Sequence, residues 1–580
     1  MKTQLLQHPA NTLVLIVGAG PVGLTMAILL KQYSIPFRII EKNSGPSTST
    51  KAMAIHSRTL EVFRELGIAD KAVAQGFSIK AFSIQANKRR IINYNFSLLE
   101  AAWPMLLSLP QPDAEKLMLR RLEALGVQIE WNTSLIDIRQ ETDGAMALLQ
   151  HRDDEDNPQW LSCRWLCACD GARSTVRKKL NLSFNGSAYD SYFMLADADI
   201  GWDQRRDEGA FFLGDAEGYV AVAPINEKGR YRLFFEMPYA LPPESERPQL
   251  DLPTFQKLCD GRGQKMSLSN LSSTTLAAFQ HRQVTQLRHR SVFLIGDSAH
   301  IGSPIGGQWM NLGLSEAYNL GWKLAWVAKG YADERLLESY HEERYPVAQE
   351  AEKTAHRLTR LITTRNRPLI WLRNNLLPTI SQSMKVQRKL PSMISGHHYN
   401  YCNSTWVHDA LKAKERNSWR KKVAKGVIQT VAPRAGQLAP DVTLWAAPGK
   451  EPQRLSSLFL QRYLLLVFTA TEGCSARVTG YLAMMQALIA GYPGIEARCV
   501  TDTLNCDDCC GPQNLIADPD WRLHRRYHAD GGCLVLIRPD GYIAFQGKNP
   551  EELSNFLQTK AVLLRQEETT STVVLDDAIA

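Results

Sequence analysis

The stretch Leu13-Val-Leu-Ile-Val17-Gly18-Ala-Gly20-Pro-Val-Gly23-Leu24 decides how the chain begins to fold. Five apolar residues without a charge read as a strand covered on both faces of a parallel sheet. The glycines that follow have the spacing GxGxxG, residues 24–33 give a helix, and residues 37–41 give the next strand, so the segment is one βαβ unit. Gly18 permits the tight turn, Gly20 lets a pyrophosphate approach the backbone at the helix N-terminus, and Gly23 lets helix and strand pack closely. Glu41, at the end of the second strand, is placed to accept a hydrogen bond from a ribose 2′-hydroxyl, which favours FAD or NAD over NADP at this site.

Working outward, strands are expected at 127–131, 145–150, 165–169 and 292–295. Between about 181 and 285 the pattern changes to alternating, aromatic-rich strands such as 218–223 and 231–237, the mark of an antiparallel sheet with one covered face. Apolar residues recur at helical spacing over 308–329 and again over about 333–364. The region 365–430 is basic and interrupted by Pro368, Pro378 and Pro391, which reads as irregular helices leading to a linker. A new α/β unit begins near Gly436, with strands at 463–468 and 497–501, a helix near 480–490 and a hairpin turning at Arg538-Pro-Asp-Gly541.

Composition narrows the class. Of 580 residues, 44% are hydrophobic and 22% charged, which excludes a disordered or collagen-like chain. The net charge of +8 is scattered in short doublets such as Lys178 with Lys179, so it reads as mild attraction for anionic cofactors and not as nucleic-acid binding. No run of about 18 apolar residues exists, so no membrane span is expected. Eleven irregularly spaced cysteines and no signal-peptide pattern indicate reduced thiols in a cytoplasmic protein.

Two further segments carry chemistry. Cys169-Asp170-Gly-Ala-Arg-Ser174 follows an apolar strand, and Gly296-Asp297-Ser-Ala-His-Ile-Gly-Ser-Pro304-Ile-Gly306-Gly307-Gln-Trp309-Met-Asn311 runs from a strand end into a helix. With the GxGxxG turn, these motifs in this order make the chain resemble the single-component FAD-dependent aromatic hydroxylases related to p-hydroxybenzoate hydroxylase, over about residues 11–395. The resemblance implies an α/β protein: a Rossmann-type FAD domain with an inserted antiparallel-sheet substrate domain, plus a C-terminal thioredoxin-like α/β domain. The FAD domain would occupy 1–180, with a substrate-domain excursion near 78–108, and 286–395. The substrate domain would span 181–285, a linker 396–432 and the thioredoxin-like domain 433–580.

The resemblance also assigns roles. Asp297 would hold a ribityl hydroxyl, Asp170 would sit where cofactor and reductant binding join, and Gln111 would contact the flavin. Lys51 stands where many members have an arginine near flavin and reductant; Arg58 matches a common family arginine, with a surface salt bridge as the plainer reading. Residues 304–311 would run along the isoalloxazine, with Asn311 in the cofactor set. Independently of the resemblance, the N–H groups of Gly306, Gly307 and the first helical turn make a partial positive charge suited to an anionic reduced flavin at N1–C2=O. Pro304, Gly306 and Gly307 are accordingly the catalytic segment. Trp309 replaces the family's usual glycine and either stacks near the flavin or packs behind the helix.

The implied activity is monooxygenation: FAD, reduced by NADPH or NADH as a transient partner, reacts with O2, and a flavin C4a-hydroperoxide hydroxylates a small aromatic, phenolic or polyketide-like substrate in a dry cavity. Phe211, Phe212, Tyr219, Tyr231, Phe234 and Phe235 could line that cavity, although residue by residue core is the commoner fate of such aromatics. Same-fold alternatives are epoxidation, Baeyer–Villiger oxidation or dehydrogenation; a rival class is a non-catalytic flavin-bearing interaction protein, and a homodimer is compatible with either. In the terminal domain Cys474 has no partner three residues on to make Cys-x-x-Cys, so that domain reads as redox-inactive. Cys506, Cys509, His524 and His528 have zinc-finger spacing, but Pro512 and Pro519 interrupt it and the expectation is no metal.

Overall fold

The computed structural model describes residues 11–47, 52–87, 89–202, 204–214, 218–262, 266–411, 432–446, 451–470, 476–502, 514–529, 531–561 and 563. The chain divides into two units, Met1–Gly321 with Arg344–His398 and Trp322–Glu343 with Tyr399–Ala580.

In the first unit the strand Asn11–Val17 lies between Phe37–Ile40 and Asp154–Ala168, parallel to both, within a seven-stranded sheet. Val14, Leu15 and Ile16 are wholly buried, which is why the run tolerates no polar residue. The helix Pro21–Gln32 starts three residues before the expected position; proline suits a first helical turn because its missing N–H has no partner to lose there. Thr133–Gln140 and Ala145–His151 extend the sheet as an antiparallel hairpin onto Asp154–Ala168. The strand expected at 127–131 is reduced to one bridge between Ile40 and Glu130. Asn132, at φ +56°, turns the chain there, and ladder pairing resumes at Thr133.

The second sheet has eight strands in the order His300–Ile301, Ser267–Gln283, Asn185–Gly201, Arg230–Met237, Tyr219–Pro224, Glu208–Leu213, Ala81–Ala86, Arg89–Asn95. All pairs are antiparallel except Ala81–Ala86 with Glu208–Leu213, which run parallel because that strand reaches the sheet from elsewhere in the chain and not through a hairpin. Period-two alternation divides the side chains. Tyr231, Leu233, Phe235, Phe212 and Val220 join a core closed by Phe255 and Cys259, while Phe193, Leu195, Phe211, Ala221 and Phe234 point to the opposite face. Pro378 and Pro391 lie inside the helices Arg367–Ser381 and Met384–Ser395, so the basic region past 365 is more regular than its prolines suggest.

The second unit holds a six-stranded sheet in which Tyr463–Ala470 pairs parallel with Ile495–Thr501 and antiparallel with Gly531–Ile537. Arg538, at the hairpin turn, binds Glu343 and Asp540, and Glu343 also accepts from Lys323 at 2.7 Å, all four side chains being buried. Two cations against two anions leave no net buried charge. Burial nonetheless pulls the Lys323 amine down to about 8 despite the Glu343 beside it.

Candidate functional site

A cavity of about 2000 Å³ opens in the first unit. At one end its wall is backbone. Gly18 sits at φ +104°, and a Cβ there would come within 2.5 Å of the Cys169 carbonyl oxygen; a Cβ on Gly23 would lie 1.9 Å from the Gly18 carbonyl oxygen. Those two glycines are required by the protein's own packing. Gly20 is different: a Cβ there meets nothing within 4 Å, because the space beside it is the cavity. Glu41 borders this end; its carboxylate accepts the Ala19 N–H at 2.9 Å and the Asn43 amide at 2.6 Å, bracing the turn. Gly18, Gly20, Glu41, Asp170 and Asp297 line the cavity together, whereas Gly23 lies behind the turn.

Asp170 caps the short helix Thr175–Lys179, one carboxylate oxygen accepting from Thr175 N–H at 2.6 Å and Val176 N–H at 3.1 Å. Its other oxygen is buried without a hydrogen-bond partner among the described residues, and burial outweighs the Ser174 and backbone donors to push its pKa up. An orphaned carboxylate oxygen on a cavity lined by a glycine turn fits a hydroxyl-bearing dinucleotide. Arg177 joins this loop to the Asp297 turn by donating to Ala172 O and Ser298 O, both at 2.8 Å. Beneath that turn, Glu316 accepts Gly296 N–H at 2.8 Å and is 2.7 Å from His300 Nε2, the pair being fully buried. Sequence reasoning noted Glu316 only as Ser315–Glu316 in place of the family's usual Gln-Asp, and marked neither Arg177 nor the pairing of Glu316 with His300; the spacing of sixteen residues across a turn and a helix gives no periodic signal.

Pro304, Gly306, Gly307 and Gln111 border the middle of the cavity. Gly306 and Gly307 take φ +85° and +59°, left-handed conformations that favour glycine. The Gly307 N–H is spent on the Pro304 carbonyl oxygen at 3.1 Å, so it is not offered to the cavity as expected; the Gly306 N–H has no partner among the described residues. Asn311 does not line the cavity. Its side chain accepts His56 N–H at 2.9 Å and donates to Ala54 O and Gly307 O at 2.8 and 2.7 Å, pinning the glycine loop from behind.

His56 completes that clamp and was also missed, a lone histidine two residues before Arg58 having no distinguishing pattern. Its Nε2 lies 2.9 Å from Gly306 O, and since a carbonyl only accepts, the ring must donate there. Burial, outweighing that bond, lowers its pKa to about 4, so the imidazole is neutral. Arg58 is away from the cavity, paired with Glu61, which His397 also contacts at 3.0 Å. Gln111 opens the helix Gln111–Ala124 and donates to Glu115 at 2.8 Å. Trp309 folds over Gly302, where any Cβ would overlap its indole, and donates to Ser303 O at 2.8 Å while one edge still borders the cavity.

The far end is apolar side chain: Phe82, Tyr94, Phe193, Phe211, Tyr219 and Phe234. Of the six aromatics named from the sequence, Phe211, Tyr219 and Phe234 face the cavity, while Phe212, Tyr231 and Phe235 belong to the core. Tyr94 and Tyr219 are buried, and their hydroxyls have no hydrogen-bond partner among the described residues. Burial raises the Tyr94 phenol to about 12 and holds Tyr219 well above its ordinary value, so both stay protonated. Lys51, Cys474, Cys506 and Cys509 lie outside the described residues. His524 uses its ring nitrogens on Asp518 at 2.8 Å and Thr469 O at 3.3 Å.

The backbone cradle, the orphaned carboxylate and the apolar chamber define a flavoprotein site, and comparison with known proteins agrees. Residues 11–355 match the FAD binding domain family FAD_binding_3. The chain is 31% identical over 570 residues to the 6-methylpretetramide 4-monooxygenase of Streptomyces rimosus, covering 96% of this chain and 94% of that one. It is 30% identical over 539 residues to the pentachlorophenol 4-monooxygenase of Sphingobium chlorophenolicum, covering 92% and 93%. Among solved structures, the aklavinone-11 hydroxylase complexed with FAD and aklavinone superposes with a TM-score of 0.72 at 22% identity, covering 95% of this chain and 99% of that chain. The protein therefore belongs to the FAD binding domain family of aromatic monooxygenases, and its cofactor is FAD.

Proposed function

We propose that the protein uses NADPH or NADH and O2 to hydroxylate an aromatic small molecule, phenolic or polyketide-like, as the names of its relatives suggest. The observation that carries this reading is the single cavity with two unlike ends. At about 2000 Å³ it is roughly twice the upper range of an ordinary ligand pocket of about 1000 Å³, room for a dinucleotide and a second, apolar ligand. Gly18, Gly20, Glu41, Asp170 and Asp297 would hold the nucleotide and ribityl chain; Gln111 and the 304–307 loop would face the flavin ring.

When bound, FAD supplies the activation of oxygen. The chain's own residues do the rest. Gly306 N–H and the first turn of the helix Gln308–Ala328 would direct positive charge toward a bound flavin, favouring the negative charge that reduction adds to it. His56 and Asn311 hold that loop from behind. The phenylalanine wall keeps water from the substrate side. Tyr94 and Tyr219, protonated, are donors for an oxygen of the substrate. A thioredoxin-like reading of 433–580 is supported by the central strand Tyr463–Ala470 and its mixed neighbours, and a cytoplasmic site by the free, buried cysteines.

The test is rapid mixing of the chemically reduced holoprotein with oxygenated buffer while the flavin spectrum is followed. A transient belonging to neither oxidised nor reduced flavin, together with phenol-stimulated NAD(P)H oxidation, is expected. Direct reoxidation with no stimulation by any phenol would sink the reading in favour of a dehydrogenase or a binding role.

A further inference from the structure

Among the described residues, the large apolar side chains left in water are concentrated in one place. Of nine such side chains, six fall between positions 369 and 384: Leu369, Trp371, Leu372, Leu376, Ile380 and Met384, each 44–65% exposed. Leu369, Leu372, Leu376 and Ile380 share one face of the helix Arg367–Ser381. The adjoining side of the helix is occupied: Arg373 is buried and donates to Leu361 O at 3.0 Å, and Leu377 packs into the cluster behind the cavity. The helix thus buries one apolar face and presents a second, which marks an interaction surface.

Charge identifies the occupant. From Lys353 to His408 the chain has no acidic residue and nine lysines and arginines, in a protein with 59 acidic residues in 580. Arg365, Arg367, Arg388 and Lys389, in the same stretch of chain as the apolar row, are exposed. A second copy of the chain is disfavoured, because a two-fold contact would set this basic rim against itself. Leucines and a tryptophan flanked by arginine and lysine are the pattern of a helix lying in a lipid interface.

We infer that the helix Arg367–Ser381 and the residues following it dock on an anionic membrane surface, the apolar row in the acyl boundary and the basic residues at the head groups. No described helix is long and apolar enough to cross a membrane, so this contact is peripheral. The consequence for the substrate rests on the proposed hydroxylase activity. Leu358 and Ile394 line the apolar end of the cavity and share a packed cluster with Leu377, so an apolar aromatic dissolved in lipid would be concentrated beside the helices that close that end.

The test is co-sedimentation of the full-length holoprotein with vesicles of phosphatidylcholine alone or with about 30% phosphatidylglycerol, at about 0.1 M salt. Binding at least about tenfold stronger to the anionic vesicles is expected, weakening at about 0.5 M salt. Leu372→Glu with Leu376→Glu should weaken it about tenfold or more, and Arg367→Glu with Arg388→Glu should remove the preference for phosphatidylglycerol. These positions are on the surface and outside the cavity, so flavin content should not change. No sedimentation with either lipid, or equal binding to both, overturns the inference. So does a wild-type dimer that the double leucine variant converts to monomer, which would make the face a contact between copies. Intact vesicle binding in a protein whose reduced flavin shows no oxygen transient would overturn the hydroxylase reading alone.

Discussion

At the end of the cavity where Gly18 and Gly20 meet Glu41, the wall is backbone; at the end where Phe82, Phe193 and Phe211 meet, it is side chain. The first end comes from short stretches of the chain, each a strand, a turn and a helix start, and its shape is set by φ angles that few residues other than glycine adopt. The second is assembled from strands at 81–86, 89–95, 185–201, 208–213, 219–224 and 230–237, and no single residue defines it. A wall of backbone is all-or-none under substitution, whereas a wall of side chains is tunable. That difference fits a fixed cofactor at one end and a variable substrate at the other.

The largest effect expected is at the backbone end. Gly23→Val would drive a side chain into the Gly18 carbonyl, 1.9 Å from the Cβ position, and should yield no folded flavoprotein. Gly20→Ala separates ligand from fold, since its Cβ meets no protein atom within 4 Å. The apo protein's melting temperature should be unchanged while FAD affinity, from fluorescence titration, falls by about tenfold or more, the equivalent of about 1.4 kcal/mol. Normal FAD affinity in Gly20→Ala would mean that the open space is not where the pyrophosphate lies, and the contrast between the ends would collapse.

His56 tests the loop between the two ends. An unfolded chain takes up a proton on this histidine near pH 6.5, but the folded chain refuses it until about pH 4 because burial of the ring outweighs its hydrogen bond to Gly306 O. Stability is therefore full above pH 6.5 and lost as pH falls through that window, by about 2 kcal/mol between pH 7 and pH 5. Urea unfolding at the two pH values should show this loss in the wild type and a correspondingly smaller one in His56→Gln, which keeps a donor and takes no proton. Glu61, held below the ordinary carboxylate range by His397 and Arg58 although burial pushes it up, gives a separate loss of the same sign only at lower pH.

Legibility in the sequence follows the same division. The GxGxxG turn, the Asp170 loop and the Gly296-Asp297 turn were readable because their geometry is set by residues within a few positions of one another. What such reading could not supply was direction. Asn311 was expected at the cofactor, yet its amide is consumed by Ala54, His56 and Gly307, residues about 250 positions away or on its own loop. Period-two alternation marked the aromatics between 211 and 235 as a sheet, and the structure sorts them by face. Phe82, Tyr94 and Phe193 were not singled out, because a cavity wall and a core face have the same alternating pattern until the partner strands are known. The exposed row on Arg367–Ser381 was hidden by its prolines.

On the side-chain wall smaller changes are expected. Phe211→Ala removes a ring that contacts Phe82 and Tyr219, with centroids at 5.2 and 5.8 Å. Because one face of the ring already borders the cavity, the cost should be about 2 kcal/mol, below the 3–5 kcal/mol typical of a fully packed phenylalanine. FAD affinity should stay at the wild-type value. Water admitted to the chamber should instead raise the hydrogen peroxide formed per NAD(P)H consumed, read by a peroxidase-coupled assay. Loss of FAD in this variant would mean that the two ends are not independent.

The smallest effect on stability, and the sharpest on recognition, is expected at Tyr219. A buried hydroxyl normally has a partner, and its removal then costs about 1 kcal/mol. The Tyr219 hydroxyl has none among the described residues, so Tyr219→Phe should change stability by less than about 0.5 kcal/mol. If the partner is an oxygen of the bound substrate, the same change should raise KM for whichever phenol stimulates NAD(P)H oxidation by about tenfold and leave FAD affinity alone. Tyr94→Phe is the internal control, since its phenol is equally buried and protonated but stands on a different strand. A substrate with one oxygen at that end can engage only one of them strongly, so the two variants should differ in KM. Equal, negligible effects would show that the wall recognises the substrate by shape alone, and would make the side-chain end more permissive than its two hydroxyls imply.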